Sequence, residues 1–141
     1  MFPPRLLKNQ SGMMLLEGLI ATLIFSLGIL AIVGMQAVAV KQVTDARYRS
    51  EACLLANELL GTMWVSDRTT ATMKANFDTG GDGYDAWLLR VAAVLPGVTA
   101  NPPTVNVDLA TGVVTVTVNW LAPSELSTAQ AHRYVAIAQI R

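Results

Sequence analysis

The chain has 141 residues, 52% of them hydrophobic and 14% charged, and its ten basic residues balance ten acidic ones. It is too apolar to stay disordered. A formal net charge of zero, without a basic patch or a stacking-aromatic motif, argues against general nucleic-acid binding.

The excess apolar character sits near the N-terminus. Arg5 and Lys8 come first, with no acid among the first dozen residues. No residue from Gly18 to Val40 carries a charge. As a helix this run of about 23 residues spans roughly 34 Å, enough for a hydrocarbon core of about 30 Å. It is too long for a signal-peptide core of about 7–15 residues. Met35, Gln36 and Ala37 also do not form a small-residue cleavage site. The reading is a transmembrane helix. Arg5 and Lys8 favour a cytoplasmic N-terminus and a head outside the cytoplasm, although Lys41, Arg47 and Arg49 lie on the far side.

Glu17 stands at the start of this run. A carboxylate in a membrane helix costs several kcal/mol at the centre and less towards the end. It is either tolerated at headgroup level or paired with a cation. The sequence has no basic residue between Lys8 and Lys41. A partner would have to come from another molecule or from a new amino terminus.

After Val40 the pattern turns amphipathic. Tyr48, Ala52, Leu55, Ala56, Leu59 and Met63 recur at helical spacing, opposite Asp45, Arg49, Glu51 and Glu58. With no proline from Met13 through Ser66, one helix is expected from about Met14 to about Val65. Its second half should pack its stripe on a small head. Cys53, the sole cysteine, can form no intrachain disulfide and reads as a small buried hydrophobe.

A polar linker is expected around Ser66 to Ala75. The stretch FDTGGDGYD, Phe77 to Asp85, poses the question of calcium. Asp78, Asp82 and Gly83 fit an EF-hand loop. Gly80 replaces an oxygen ligand, and Leu89 stands where the closing glutamate belongs, so a glycine-rich turn is the plainer reading. Asp85 reads as the N-cap of a short helix, Ala86 to Leu95, ended by Pro96-Gly97. Thr104–Leu109, Val113–Leu121 and a last run with Tyr134, Ala136, Ala138 and Ile140 alternate with period two, giving an antiparallel three-stranded meander. The fold class is α+β.

No nucleophile elbow, P-loop or metal cluster is present in the sequence, and the one histidine, His132, opens a strand as a surface or edge residue. No enzyme, cofactor or metal is expected.

Gly12-Met13-Met14-Leu15-Leu16-Glu17, after a short basic leader and before an apolar helix, resembles the prepilin motif of type IV pilins and type II secretion pseudopilins. The resemblance implies cleavage between Gly12 and Met13 by a membrane-embedded prepilin peptidase, with N-methylation of Met13. It implies that Glu17 pairs with the terminal amine of a neighbouring subunit in a filament. A tryptophan-bearing helix ending in Leu95-Pro96-Gly97, followed by Val114 to Trp120 and a closing strand, is similar to the PilV family of minor pilins.

The implied organisation is a leader at 1–12, a transmembrane and assembly helix at 13–40, an amphipathic extension at 41–66 and a periplasmic α+β head at 67–141. The implied partners are major and minor pilins, the prepilin peptidase and the inner membrane. The implied destination is the pilus, with roles in assembly priming, adhesion, twitching motility or DNA uptake. Two alternatives stand beside it. One is a type II secretion minor pseudopilin. The other is an unprocessed single-span protein whose head binds a ligand or partner.

Overall fold

The computed structural model describes residues 11–126 and 128–140. Of the expected leader, residues 1–10 lie outside the described residues. The elements in order are α1 (Ser11–Val65), α2 (Thr70–Phe77), α3 (Asp82–Val94), β1 (Thr104–Val107), β2 (Val113–Trp120) and β3 (His132–Gln139). The chain is α+β, as expected. It divides into two units, Met1–Gln42 and Val43–Arg141.

In the first unit the described residues are all helix, the leading part of the 55-residue α1. Each residue from Gly12 to Gln42 is exposed. This is the one helix among the described residues long and apolar enough to cross a membrane, with a mean hydropathy of 2.4 over its most apolar window. Its hydroxyls are compatible with lipid. Thr22 donates to the Leu19 carbonyl at 2.9 Å and Ser26 to the Thr22 carbonyl at 2.7 Å. Each spends its donor on the helix's own backbone, which spares it an unpaired group in an apolar medium.

The second unit holds the core. Ala52, Leu55, Ala56, Leu59, Leu60 and Met63 form a buried stripe on α1, with Tyr48 packed against the cluster. The amphipathic extension is therefore part of the head. β1 and β3 flank β2, both antiparallel to it, with Val105 opposite Val116 and Val116 opposite Ala136. Val114, Val116, Val118 and Trp120 point into the core, while the residues between them are half-buried. That alternation is what a sheet with one covered face requires.

Three expectations are corrected here. The segment expected as a polar linker is a helix from Thr70, because Met73 and Phe77, one turn apart, both find the core. Asp67 shapes its entry. One carboxylate oxygen accepts the Thr69 amide at 2.9 Å and the Thr69 hydroxyl at 2.8 Å. Those bonds, the amide first, hold the Asp67 pKa below its ordinary value. The second correction concerns α3. It starts at Asp82, three residues before the expected cap, and the N-cap position is Gly81. Strand edges also shift: β1 ends at Val107 and Leu109 is exposed, because residues 108–112 form the turn into β2. There Asp108 accepts the Ala110 amide and the Thr111 hydroxyl, and Gly112 takes a φ of +68° that a side chain would disfavour.

α3 places Tyr84, Trp87 and Val91 on its inner face. The Tyr84 hydroxyl donates to the Pro103 carbonyl at 2.7 Å inside the core. Burial, and then the neighbouring Asp85 charge, raise its pKa. Tyr84→Phe should lower the unfolding free energy of the head by about 1–2 kcal/mol, since it strands a buried carbonyl. A urea midpoint unchanged from the parent would refute that role.

Candidate assembly site

Gly12, Met13 and Glu17 all fall on α1. The helix repeat puts Met13 and Glu17 one turn apart on the same face. Glu17 lines an apolar depression of about 360 Å³ with Met13, Leu16, Ile20, Ala21 and Ile24. Met13 is 74% exposed and Ile20 49%. No cation among the described residues lies within ion-pair distance of Glu17. A carboxylate is thus presented in an otherwise greasy face. Removal of the residues before Met13 would put an ammonium at the helix start, where the helix dipole also favours the nearby Glu17. A Cβ added at Gly12 would meet nothing within 4 Å among the described residues, so the glycine is not required by packing there.

The Asp/Gly stretch has a different use. One Asp78 oxygen accepts the Val107 amide at 3.1 Å, and the other pairs with the Lys74 ammonium. Thr79 exchanges bonds with Val105: its amide and hydroxyl donate to the Val105 carbonyl, and its hydroxyl accepts the Val105 amide. The stretch therefore covers the outer edge of β1, which would otherwise be open to pairing with another strand. Gly81 fits directly against the α2 backbone. A Cβ there would lie 2.4 Å from the Asn76 carbonyl oxygen. Asp82 and Asp85 occupy the first turn of α3, where acids suit the helix dipole. Among the described residues no group of three or more His, Cys, Asp or Glu side chains is placed to hold a metal ion.

His132 opens β3 and is exposed, as its position suggested. Its Nε2 lies 3.0 Å from both carboxylate oxygens of Glu125, and its ring stacks on Trp120 with centroids 5.7 Å apart. Glu125 also accepts the Ala122 amide, so this group ties down the β2–β3 loop. Nothing in the sequence pattern linked Glu125 to His132.

Cys53 departs from its expected burial. It is half-exposed, because it lies beside the buried stripe of α1 and not within it. The Asn57 amide donates to its sulfur at 3.4 Å. The neighbouring Cys53 thiol raises the pKa of the Tyr134 hydroxyl.

Sequence patterning also did not pair Trp87 with Leu55. The indole Nε1 donates to the Leu55 carbonyl at 2.9 Å, and Arg90 forms an ion pair with Glu58 one turn further along both helices. These contacts fasten α3 to the part of α1 that lies in the head. The chain matches no protein-family model, and no curated protein or solved structure matches it.

Proposed function

We propose that the chain is a minor pilin of a type IV pilus, similar to the PilV family. In this reading the prepilin peptidase cuts between Gly12 and Met13 and methylates the new amine. The chain sits in the inner membrane with a cytoplasmic leader and a periplasmic head, then enters the pilus. The observation that carries the reading is Glu17 one turn from Met13, on an exposed apolar helix long enough to cross a membrane.

The physical logic is pairing in trans. A carboxylate in an apolar bundle is strongly penalised unless a cation meets it. Helices that each carry one carboxylate and one terminal amine can satisfy each other, and only at certain staggers. The site then sets register as well as affinity. The head is an anchored structural module in this reading, and no catalytic role is assigned to it.

The test is the intact mass and N-terminal residue of the protein from cells with and without the prepilin peptidase. The expected result is a chain starting at methylated Met13 only where the peptidase is present. Retention of Arg5 and Lys8 in both strains would refute the reading and favour an unprocessed single-span protein.

A further inference from the structure

The two edges of the sheet are finished differently. On β1 the outward main-chain groups of Val105 and Val107 are all taken. The Thr79 hydroxyl accepts the Val105 amide, and the Thr79 amide and hydroxyl donate to the Val105 carbonyl. Asp78 accepts the Val107 amide, and the Lys74 ammonium donates to the Val107 carbonyl at 3.4 Å. On the other side of the sheet, the Ile140 amide donates to the Gly112 carbonyl, so by the register it is the even-numbered residues of β3 that bond β2. The amides and carbonyls of Arg133, Val135 and Ile137 therefore point outwards, and among the described residues they meet no hydrogen-bond partner.

An open edge is a template for another strand, and chains usually blunt it with proline, lysine or a bulge. The 8-residue run HRYVAIAQ of β3 has no proline, and its one fixed charge is Arg133 at the start. Both faces beside this edge offer surface. On the outer face Val135 is 43% exposed and Ile137 69%, next to Thr117 and Thr115 of β2. On the inner face two adjoining recesses lie at the seam with α1. One, of about 580 Å³, separates Tyr134 from Ala46, Ser50, Cys53 and Leu54. The other, of about 350 Å³, is lined by Asp45, Arg49, His132 and Arg133 among others. Side chains of an added strand point alternately to the two faces, so every second one meets this seam.

We propose that the open edge of β3 receives an extended segment of a different protein, which joins the sheet as a fourth strand. Aliphatic side chains at alternate positions of that segment cover Val135 and Ile137 on the outer face. A side chain between them enters the recess beside Tyr134 and Leu54. A second copy of this chain fits less well. Its β1 edge is capped, and the inward side chains of its own β3, Ala136 and after it Ile140, are already buried in its core. A free strand brings side chains that are not yet spent. In such a contact the main-chain bonds supply affinity and the recesses select the partner. The contact lies wholly in the head and needs no cut at Gly12.

The experiment uses the full-length chain in its native membranes, with Ile137 replaced by the photo-reactive residue p-benzoylphenylalanine. After irradiation the adduct is identified by mass and its cross-linked peptide is mapped. The expected result is an adduct with one other protein, through a segment whose aliphatic residues alternate. Val135→Pro removes an outward amide and no bond to β2, a substitution that an edge strand accepts. It should lower the adduct about tenfold, the worth of one main-chain hydrogen bond, with the near-ultraviolet circular dichroism of the head unchanged. Val135→Lys keeps the amide and charges the covered face. It should lower the adduct as well, and it decides the matter if the proline disturbs the fold. No adduct, an adduct with a second copy of this chain, one mapped to a helical segment, or one that persists in either folded variant would each overturn the inference. The N-terminal residue, read from the same membranes, reports separately on processing, so failure of the head contact is not confused with failure of the assembly reading.

Discussion

Trp87→Ala should destabilise the head by about 3–5 kcal/mol, the usual cost of truncating a large buried aromatic. Trp87 is 0% exposed, among Leu55, Leu59 and Met63 of α1, the core face of β2 and Tyr84, whose ring centroid lies 6.1 Å away. The loss has three parts. The variant loses the free energy that the parent gains on folding by taking the indole surface out of water. The space it leaves can be filled only partly, because neighbours on three elements are fixed by backbone geometry. The bond to the Leu55 carbonyl also disappears, which costs less, since a helical carbonyl keeps its own partner four residues on.

Trp87→Phe separates these parts. It keeps most of the apolar volume, so its cost should stay near 1–2 kcal/mol. Stabilities of this class of domain are about 5–15 kcal/mol, so the alanine variant removes a large fraction of the total. Urea unfolding in detergent, followed by near-ultraviolet circular dichroism, measures both. A Trp87→Ala cost under about 1 kcal/mol would show that α3 is not fastened to α1 through this side chain.

Glu17→Ala should leave membrane insertion intact or slightly improved, and should reduce incorporation into filaments by two orders of magnitude or more. The reasoning follows the assembly proposal. In the membrane, removing a carboxylate relieves a cost. In a packed bundle, it strands the partner amine. Leaving one member of a buried ion pair unmatched costs about 3–5 kcal/mol, and each 1.4 kcal/mol is about tenfold in association.

Glu17→Gln distinguishes charge from shape, since it keeps the volume and the hydrogen-bonding reach. It should behave like the alanine variant if pairing with an ammonium is what matters. The two readouts are the membrane-bound amount and the amount in sheared filaments, from the same cells. Normal incorporation of both variants would reduce Glu17 to a tolerated acid at the membrane edge.

These two residues differ in how far sequence alone revealed them. Glu17 was legible because its surroundings are one-dimensional. An acid in an uninterrupted apolar run is conspicuous without any knowledge of what folds where. The same holds for the stripe from Ala52 to Met63 and for β2, whose burial follows the strict alternation of Val114, Val116, Val118 and Trp120. Helical and strand periods are local properties, and a covered face imposes them on the chain directly.

The rest depended on which elements meet. Residues 70–77 have weak helical patterning, and Met73 and Phe77 justify a helix only because a core lies beneath them. Asp78 suggested a cation ligand by composition, but it lies against β1, whose amide it accepts 29 residues away. Trp87 finds its acceptor 32 residues earlier in the chain. Arg49 and Arg133 are far apart in sequence and line one recess. Sequence by itself determined the membrane-length helix, the acid at its start and the alternation of the strands, because each is written in neighbouring residues. Tertiary structure alone decided the capped β1 edge, the fastening of α3 to α1 and the pairing of Glu125 with His132, because each joins groups that only the folded backbone brings within a few ångströms.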